Sequence, residues 1–500
     1  MRRRARISTQ VLGVARTWWC APLLCTIVAL GMLTSTPTFG APDSAVNLAT
    51  GWYDVHHLVP TQSRTSNVQL GYAGQEPCYA HNAEQNATCQ SDPRIAEIAS
   101  STQRIANYPP PYYWVIGAAE LVMSPVRPSL EGDAARVIGM LLCLALLFLA
   151  AWRLHRANER TAIWALYLLT PPMAAFLFAG ANPNGWEIAC ALFFTATLLC
   201  QRTAVLTGVP DRRSVAWIAF AALLFATARP SGGGWMVVIT VTYAVWFRLW
   251  RHRRTLAMLG ASILPAALFT VIWNREYPWG IKVGQPALAL TFGSFITQVA
   301  ASFQDLSTKV TEVWGVLGWL DTWPSSLVLL GVIGALIYYL PTYAPTRAHR
   351  GLLAAIIGIS FIASSVLEGI TWRAWPTWWQ GRYTLTLLVG LSMLLFSDPG
   401  RRERPGLFAL AGWVTLANAY MVCLNYWRYE YGITNGIPAQ FSNSGYGLAH
   451  SLLDYAIVMV IFAAGVVLLV VERVRRGEDL STADAPEPQI RSLDAELLKR

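Results

Sequence analysis

The stretch TWRAWPTWWQGRY, residues 371–383, sets Arg373 and Arg382 among Trp372, Trp375, Trp378, Trp379 and Tyr383. Arginine can grip a phosphate through paired N–H bonds, and aromatic faces stack on sugar rings or on lipid. The same tryptophans also suit an interfacial aromatic belt, so a ligand site and a belt are the two readings. A further cation, Arg229, precedes Gly232, Gly233 and Gly234, and a glycine-rich turn before a helix can offer backbone N–H groups to an anion. Acids able to take a proton stand at Asp43, Asp54, Glu120, Glu187, Asp321, Glu368 and Asp454. A carboxylate at the edge of a bilayer is costly unless paired or hydrated, which makes each a functional candidate. For Asp43 and Glu187, near expected helix ends, capping is the alternative.

The elements that must position these residues are membrane helices. At 54% hydrophobic and 13% charged, 500 residues carry more apolar surface than one water-facing fold can bury. This excludes a soluble enzyme, a nucleic-acid binder and a secreted disulfide scaffold, and predicts an all-α polytopic bundle. Apolar windows suggest about 12 spans: 18–37, 133–152, 161–180, 186–201, 214–229, 234–250, 255–273, 324–341, 351–368, 383–397, 406–425 and 451–472. The proline-led segment 109–125 reads instead as an interfacial or re-entrant helix. The net charge of +10 comes mostly from arginines in short runs between spans. By the positive-inside rule these runs place both termini in the cytoplasm and make the chain a multi-pass protein of the cell membrane.

That topology divides the chain into a basic cytoplasmic N-terminus (1–17), a transmembrane domain (18–472) and a disordered cytoplasmic tail (473–500). Four large loops then lie outside, at 38–132, 274–323, 369–382 and 426–450. The first apolar segment reads as an uncleaved span, with a cleaved signal peptide as the alternative. Six of the eight cysteines fall within or beside spans, whereas Cys78 and Cys89 share a polar outer loop. An oxidising exterior favours a disulfide between them; a metal site with His81, or two free thiols, are the alternatives. Asn86-Ala87-Thr88 matches a glycosylation sequon. No cofactor or metal motif stands out.

The order FGAPD (39–43), a loop with two cysteines, YPPPYYWVIGAAEL, TPPMAAFLFAGANPNGWEIA, ARPSGGGW, GVLGWLDTWP and WWQGRYTLTLLVGL resembles a family of predicted actinobacterial polytopic membrane proteins of unknown function. That family is usually grouped with the GT-C glycosyltransferase superfamily. The likeness runs from about 37 to 470, and its most specific pieces are NPNG (182–185) and WQGRY (379–383). It implies a GT-C-like bundle that moves a sugar from a polyprenyl-phosphate carrier to a cell-envelope glycan or lipid acceptor outside the membrane. It also implies a general base in the first outer loop, and Asp43 matches that position. The motif residues Asn182, Asn184, Glu187, Arg229, Gln380, Arg382 and Tyr383, with Arg373, are then the substrate-binding candidates. Family members often continue Asp-Glu-Pro-Ala-His, where this chain has Asp43-Ser44-Ala45-Val46-Asn47. Asp54, His56 and His57 lie close downstream as candidates to replace the missing carboxylate and histidine.

Two other functions compete with a transferase. A lipid-linked sugar transporter or flippase would place charge near the bilayer midplane and repeat its halves, and neither pattern is visible. A non-catalytic subunit of envelope biogenesis would tolerate the lost Glu and His.

Overall fold

The computed structural model describes residues 17–58, 65–68, 77–89, 99–103, 105, 107–127, 130–201, 212–277, 291–371, 379–397, 404–434, 437–438 and 448–483. Helix α1 (Cys20–Ser35) leads into α2 (Ser44–His57), α3 (Pro111–Met123) and α4 (Glu131–Arg156). A compact group follows: α5 (Arg160–Leu168), α6 (Pro172–Ala179), α7 (Pro183–Cys200), α8 (Arg212–Ala226), α9 (Gly232–Trp246) and α10 (Arg253–Glu276). The remainder comprises α11 (Phe292–Gln304), α12 (Leu306–Gly315), α13 (Ser326–Tyr343), α14 (Arg347–Thr371), α15 (Gly381–Ser392), α16 (Leu407–Glu430) and α17 (Leu448–Ala483). Two antiparallel two-stranded ribbons, Thr65–Val68 with Ala99–Gln103 and Ile433–Thr434 with Ile437–Pro438, are additions to the expected all-α bundle.

Local sequence explains where several helices start. Pro111, Pro172 and Pro183 sit in first turns, where a missing N–H costs nothing. In α4, Glu131 and Asp133 open the helix and Arg153, His155 and Arg156 close it, matching the helix dipole at both ends. At the centre lies α7, with every residue from Pro183 to Leu199 buried against α4, α8 and α15. By contrast α10, α13 and α17 expose apolar side chains such as Val271, Leu327 and Met459, the pattern of a lipid-facing surface.

Among the described residues, five helices are long and apolar enough to cross a membrane: Glu131–Arg156, Arg253–Glu276, Arg347–Gly369, Leu407–Glu430 and Leu452–Arg475. A sixth is added if α5 and α6 count as one span, although they bend by 75°. The expected count of about 12 is therefore not reached on length and composition. Pro171 and Pro172 break the continuous window at 161–180, because the first of them cannot accept helical geometry before the second. Windows at 18–37, 234–250, 324–341 and 383–397 are met by shorter apolar helices, Cys20–Ser35, Gly232–Trp246, Ser326–Tyr339 and Gly381–Phe396. A helix was expected at 109–125, and α3 forms there; the segments 38–132 and 274–323 also hold α2, α11 and α12, which hydropathy did not indicate. At the other end α17 continues to Ala483, eleven residues into the segment expected to be a disordered tail.

Candidate functional site

Asp43 closes the FGAPD turn and occupies the N-cap position of α2 with φ 62° and ψ 7°. A left-handed conformation at a residue other than glycine costs on the order of 1 kcal/mol and persists only where the surroundings impose it. They do so here through the carbonyls that precede Asp43. Trp319 Nε1 donates to Phe39 O at 3.0 Å, the Tyr429 hydroxyl donates to Gly40 O, and Asn182 Nδ2 donates to Pro42 O at 3.3 Å. The side chain of Asp43 makes no capping bond. Instead its Oδ2 accepts from Arg382 Nη2 at 2.7 Å, joining residues 339 apart in sequence.

Arg382 is the second residue of α15 and is 2% exposed, whereas the Asp43 side chain is 48% exposed. Arg382 Nη2 also donates to the Tyr383 hydroxyl at 3.1 Å. Its Nε and Nη1 are buried and have no hydrogen-bond partner among the described residues. The Tyr383 ring lies between two guanidiniums, 5.1 Å from that of Arg382 and 4.9 Å from that of Arg229, so its electron-rich face contacts cations.

Arg229 is held more completely. Nη1 donates to Glu187 Oε2 at 3.2 Å, Nη2 donates to the Tyr108 hydroxyl at 2.8 Å, and the Tyr108 ring stands 5.2 Å away. Fully buried Glu187 also accepts from Ser231 Oγ at 2.7 Å and Thr386 Oγ1 at 3.0 Å. A buried ion pair needs such extra hydrogen bonds to offset its desolvation. Capping is thus not the role of either Asp43 or Glu187: each carboxylate turns to an arginine.

Of the sequence candidates, Asp43, Arg382, Tyr383, Arg229 and Glu187 come together in one network. Asn182 caps α7, its Oδ1 accepting from the Asn184 backbone N–H at 2.9 Å and side-chain amide at 2.7 Å, and so connects NPNG to the turn before Asp43. Gln380 stands at the N-cap position of α15. Arg373 lies outside the described residues. Gly232 and Gly233 serve close packing of α9 on α8 and α10: a Cβ at Gly232 would lie 2.1 Å from Phe225 O, and one at Gly233 2.0 Å from Thr270 Oγ1, whereas one at Gly234 would meet nothing within 4 Å. Of the candidates downstream, Asp54 is buried within α2, eleven residues after Asp43. His56 and His57 sit at the far end of the 14-residue α2, about 20 Å from its start, and Nδ1 of each faces the carbonyl four residues back. At the replaced positions, Ser44 Oγ donates to Ala41 O and Asn47 Oδ1 accepts from the Tyr113 hydroxyl.

Sequence reading did not single out Tyr108, Ser231, Thr386 or Glu312. Thr386 sits one helical turn after Arg382, a spacing that could have pointed to it.

Cys78 and Cys89 form a disulfide, with Cα atoms 6.1 Å apart. The loop they close is fastened by Arg428, whose Nη1 donates to Gln85 O at 2.6 Å and Nη2 to Tyr79 O at 2.7 Å. Arg428 also pairs with Asp321 through Nη2 at 2.7 Å and Nε at 3.3 Å.

Comparison with known proteins gives three findings. The family described as "Predicted membrane protein (DUF2142)" matches residues 25–391, beginning before and ending well short of the stretch 37–470 expected from motifs. No curated protein matches the sequence. Among solved structures, the crystal structure of ArnT from Cupriavidus metallidurans bound to undecaprenyl phosphate is similar, at 13% identity over 93% of this chain and 81% of that chain, with a TM-score of 0.39. So loose a superposition leaves function to be argued from this chain's own residues. The family match covers well over half of the sequence, and the chain belongs to the DUF2142 family of membrane proteins.

Proposed function

We propose that the protein is a GT-C-type glycosyltransferase, which takes a sugar from a polyprenyl-phosphate donor and passes it to a cell-envelope glycan or lipid on the outer face of the cell membrane. The observation that carries this reading is the Asp43–Arg382 pair. A half-exposed carboxylate able to take a proton stands 2.7 Å from a buried guanidinium that has two further nitrogens without hydrogen-bond partners among the described residues. Asp43 removes the proton from the acceptor hydroxyl as that oxygen attacks the anomeric carbon. The bond from the anomeric carbon to the phosphate oxygen breaks, and the leaving polyprenyl phosphate is held by Arg382 through Nε and Nη1. Such proton abstraction is worth roughly 10²- to 10⁴-fold in rate. Fixed donors aimed at the developing phosphate charge need no reorganisation as it forms.

Arg229 packs on the Tyr383 ring, 4.9 Å from its centre, and its own charge is matched by Glu187. In this reading all four carboxylate and guanidinium groups sum to zero charge, so the phosphate adds the only excess. The orientation with both termini cytoplasmic, which puts Asp43 outside, belongs to the same proposal.

The test is transfer of labelled sugar from a polyprenyl-phosphate donor in membranes containing the protein. Asp43→Asn is expected to lower the rate at least about a hundredfold with unchanged expression. Full activity in that variant removes Asp43 from the mechanism, and co-purification of a separate active transferase with no effect of Asp43→Asn favours the non-catalytic reading.

A further inference from the structure

The first turn of α15 carries Arg382 and Tyr383, yet its N-cap residue Gln380 makes no capping bond. Helix N-termini leave N–H groups without intrahelical partners, and such groups are costly when buried. Here the partners come from other helices. Gly381 N–H donates to Glu312 Oε2 of α12 at 2.5 Å, and the preceding Trp379 N–H donates to Glu368 Oε1 of α14 at 3.2 Å. Glu368 is in turn neutralised by Lys309, whose Nζ lies 2.7 Å from Oε2 and 2.6 Å from Ser302 Oγ. Lys309 and Glu312 stand three residues apart on one face of α12, so a single helix serves both anchors.

The contact has no slack. A Cβ at position 381 would lie 2.3 Å from Lys309 O, which fixes the backbone of α12 directly on the start of α15. Glu312 is also near enough to Arg382 to feel its charge, while burial is the stronger influence and pushes its carboxyl above the ordinary value. Two anions at a helix start are favoured by the helix dipole as well as by the hydrogen bonds.

We propose that Glu312 is a positioning residue for Arg382: by holding the Gly381 N–H it sets where the first turn of α15 begins, and with it the reach of Arg382 to Asp43 and to an incoming lipid phosphate. This deepens the phosphate reading and rests on it for the last step only. The hydrogen bond needs an acceptor oxygen, which Gln retains and Ala lacks.

The experiment uses the full chain in lipid nanodiscs, as wild type, Glu312→Ala, Glu312→Gln and Arg382→Ala. Two quantities are read: hydrogen exchange of the peptide spanning 379–384, and binding of undecaprenyl phosphate by native mass spectrometry. Glu312→Ala is expected to speed exchange at this peptide and weaken lipid-phosphate binding about tenfold, while Glu312→Gln stays within about twofold of wild type on both counts. Unchanged exchange in Glu312→Ala overturns the proposal, as does equal impairment by Ala and Gln. If exchange rises in Glu312→Ala but Arg382→Ala binds the lipid phosphate like wild type, the positioning role stands and the phosphate reading fails.

Discussion

Two of the Asp–Arg pairs among the described residues, Asp43–Arg382 and Asp321–Arg428, are equal in length and opposite in circumstances. In both, the shortest contact is 2.7 Å and the arginine is almost wholly buried. Arg428 uses Nε, Nη1 and Nη2, bonding Asp321 twice and two carbonyls of the disulfide loop, and Asp321 is only 9% exposed. Among the described residues Arg382 uses Nη2 alone, and its partner Asp43 is 48% exposed. A cation with a partner at every nitrogen holds structure together. One left short of partners is costly to keep buried, and a site that receives an anion recovers that cost when the anion arrives.

The comparison breaks if the two arginines respond alike to the same change. Arg428→Met should destabilise by about 3–5 kcal/mol, because it strands buried Asp321 and the loop carbonyls; thermal unfolding in detergent measures this. Arg382→Met, in the same assay, should be neutral or slightly stabilising, since it exchanges an under-satisfied buried cation for an apolar side chain. Replacing Cys78 and Cys89 by Ser should cost about 2–3 kcal/mol by releasing the closed loop, with lipid-phosphate binding retained. On binding the order reverses: Arg382→Met should lose about tenfold or more in affinity for a polyprenyl phosphate, the worth of one charge-assisted hydrogen bond.

The smallest effect concerns Glu120, packed where α3 meets α2. A Cβ at Gly117 would lie 2.0 Å from Gly51 O, so the helices touch there, and neither Glu120 oxygen has a partner among the described residues. Burial, with Glu131 nearby, holds its carboxyl well above the ordinary carboxylate range. Folding therefore favours the protonated form. Its stabilising contribution is complete below the ordinary carboxylate value and disappears as pH rises through the raised one. Glu120→Gln should remove this dependence, so the gap in melting temperature between variant and wild type should widen as pH rises. A constant gap would mean that Glu120 does not titrate on folding.

Much of the site was legible in residue types. Asp43, Arg229, Glu187 and Arg382 stand out because charge is rare near apolar helices, Tyr383 because it belongs to the aromatic cluster around Arg382, and the cysteine pair because it sits apart from the other six. Who pairs with whom was not legible, since contacts across 339 residues depend on packing that no local pattern encodes. Gly232 and Gly233 misled because the glycine that bares N–H groups for an anion is the same residue that lets two helices touch. Arg428, at the end of a helix in WRYE, looks like an ordinary interfacial cation until the disulfide loop folds over it. The span count suffered from the same limit: hydropathy windows run through Pro171 and Pro172, where the backbone turns by 75°.

The most direct test of the central claim is a density map of the protein in lipid with added polyprenyl phosphate. The expected result is a phosphate headgroup within hydrogen-bonding distance of Nε and Nη1 of Arg382, beside Asp43 and away from Arg428. A headgroup bound elsewhere, with apolar lipid alone against Arg382, would contradict it.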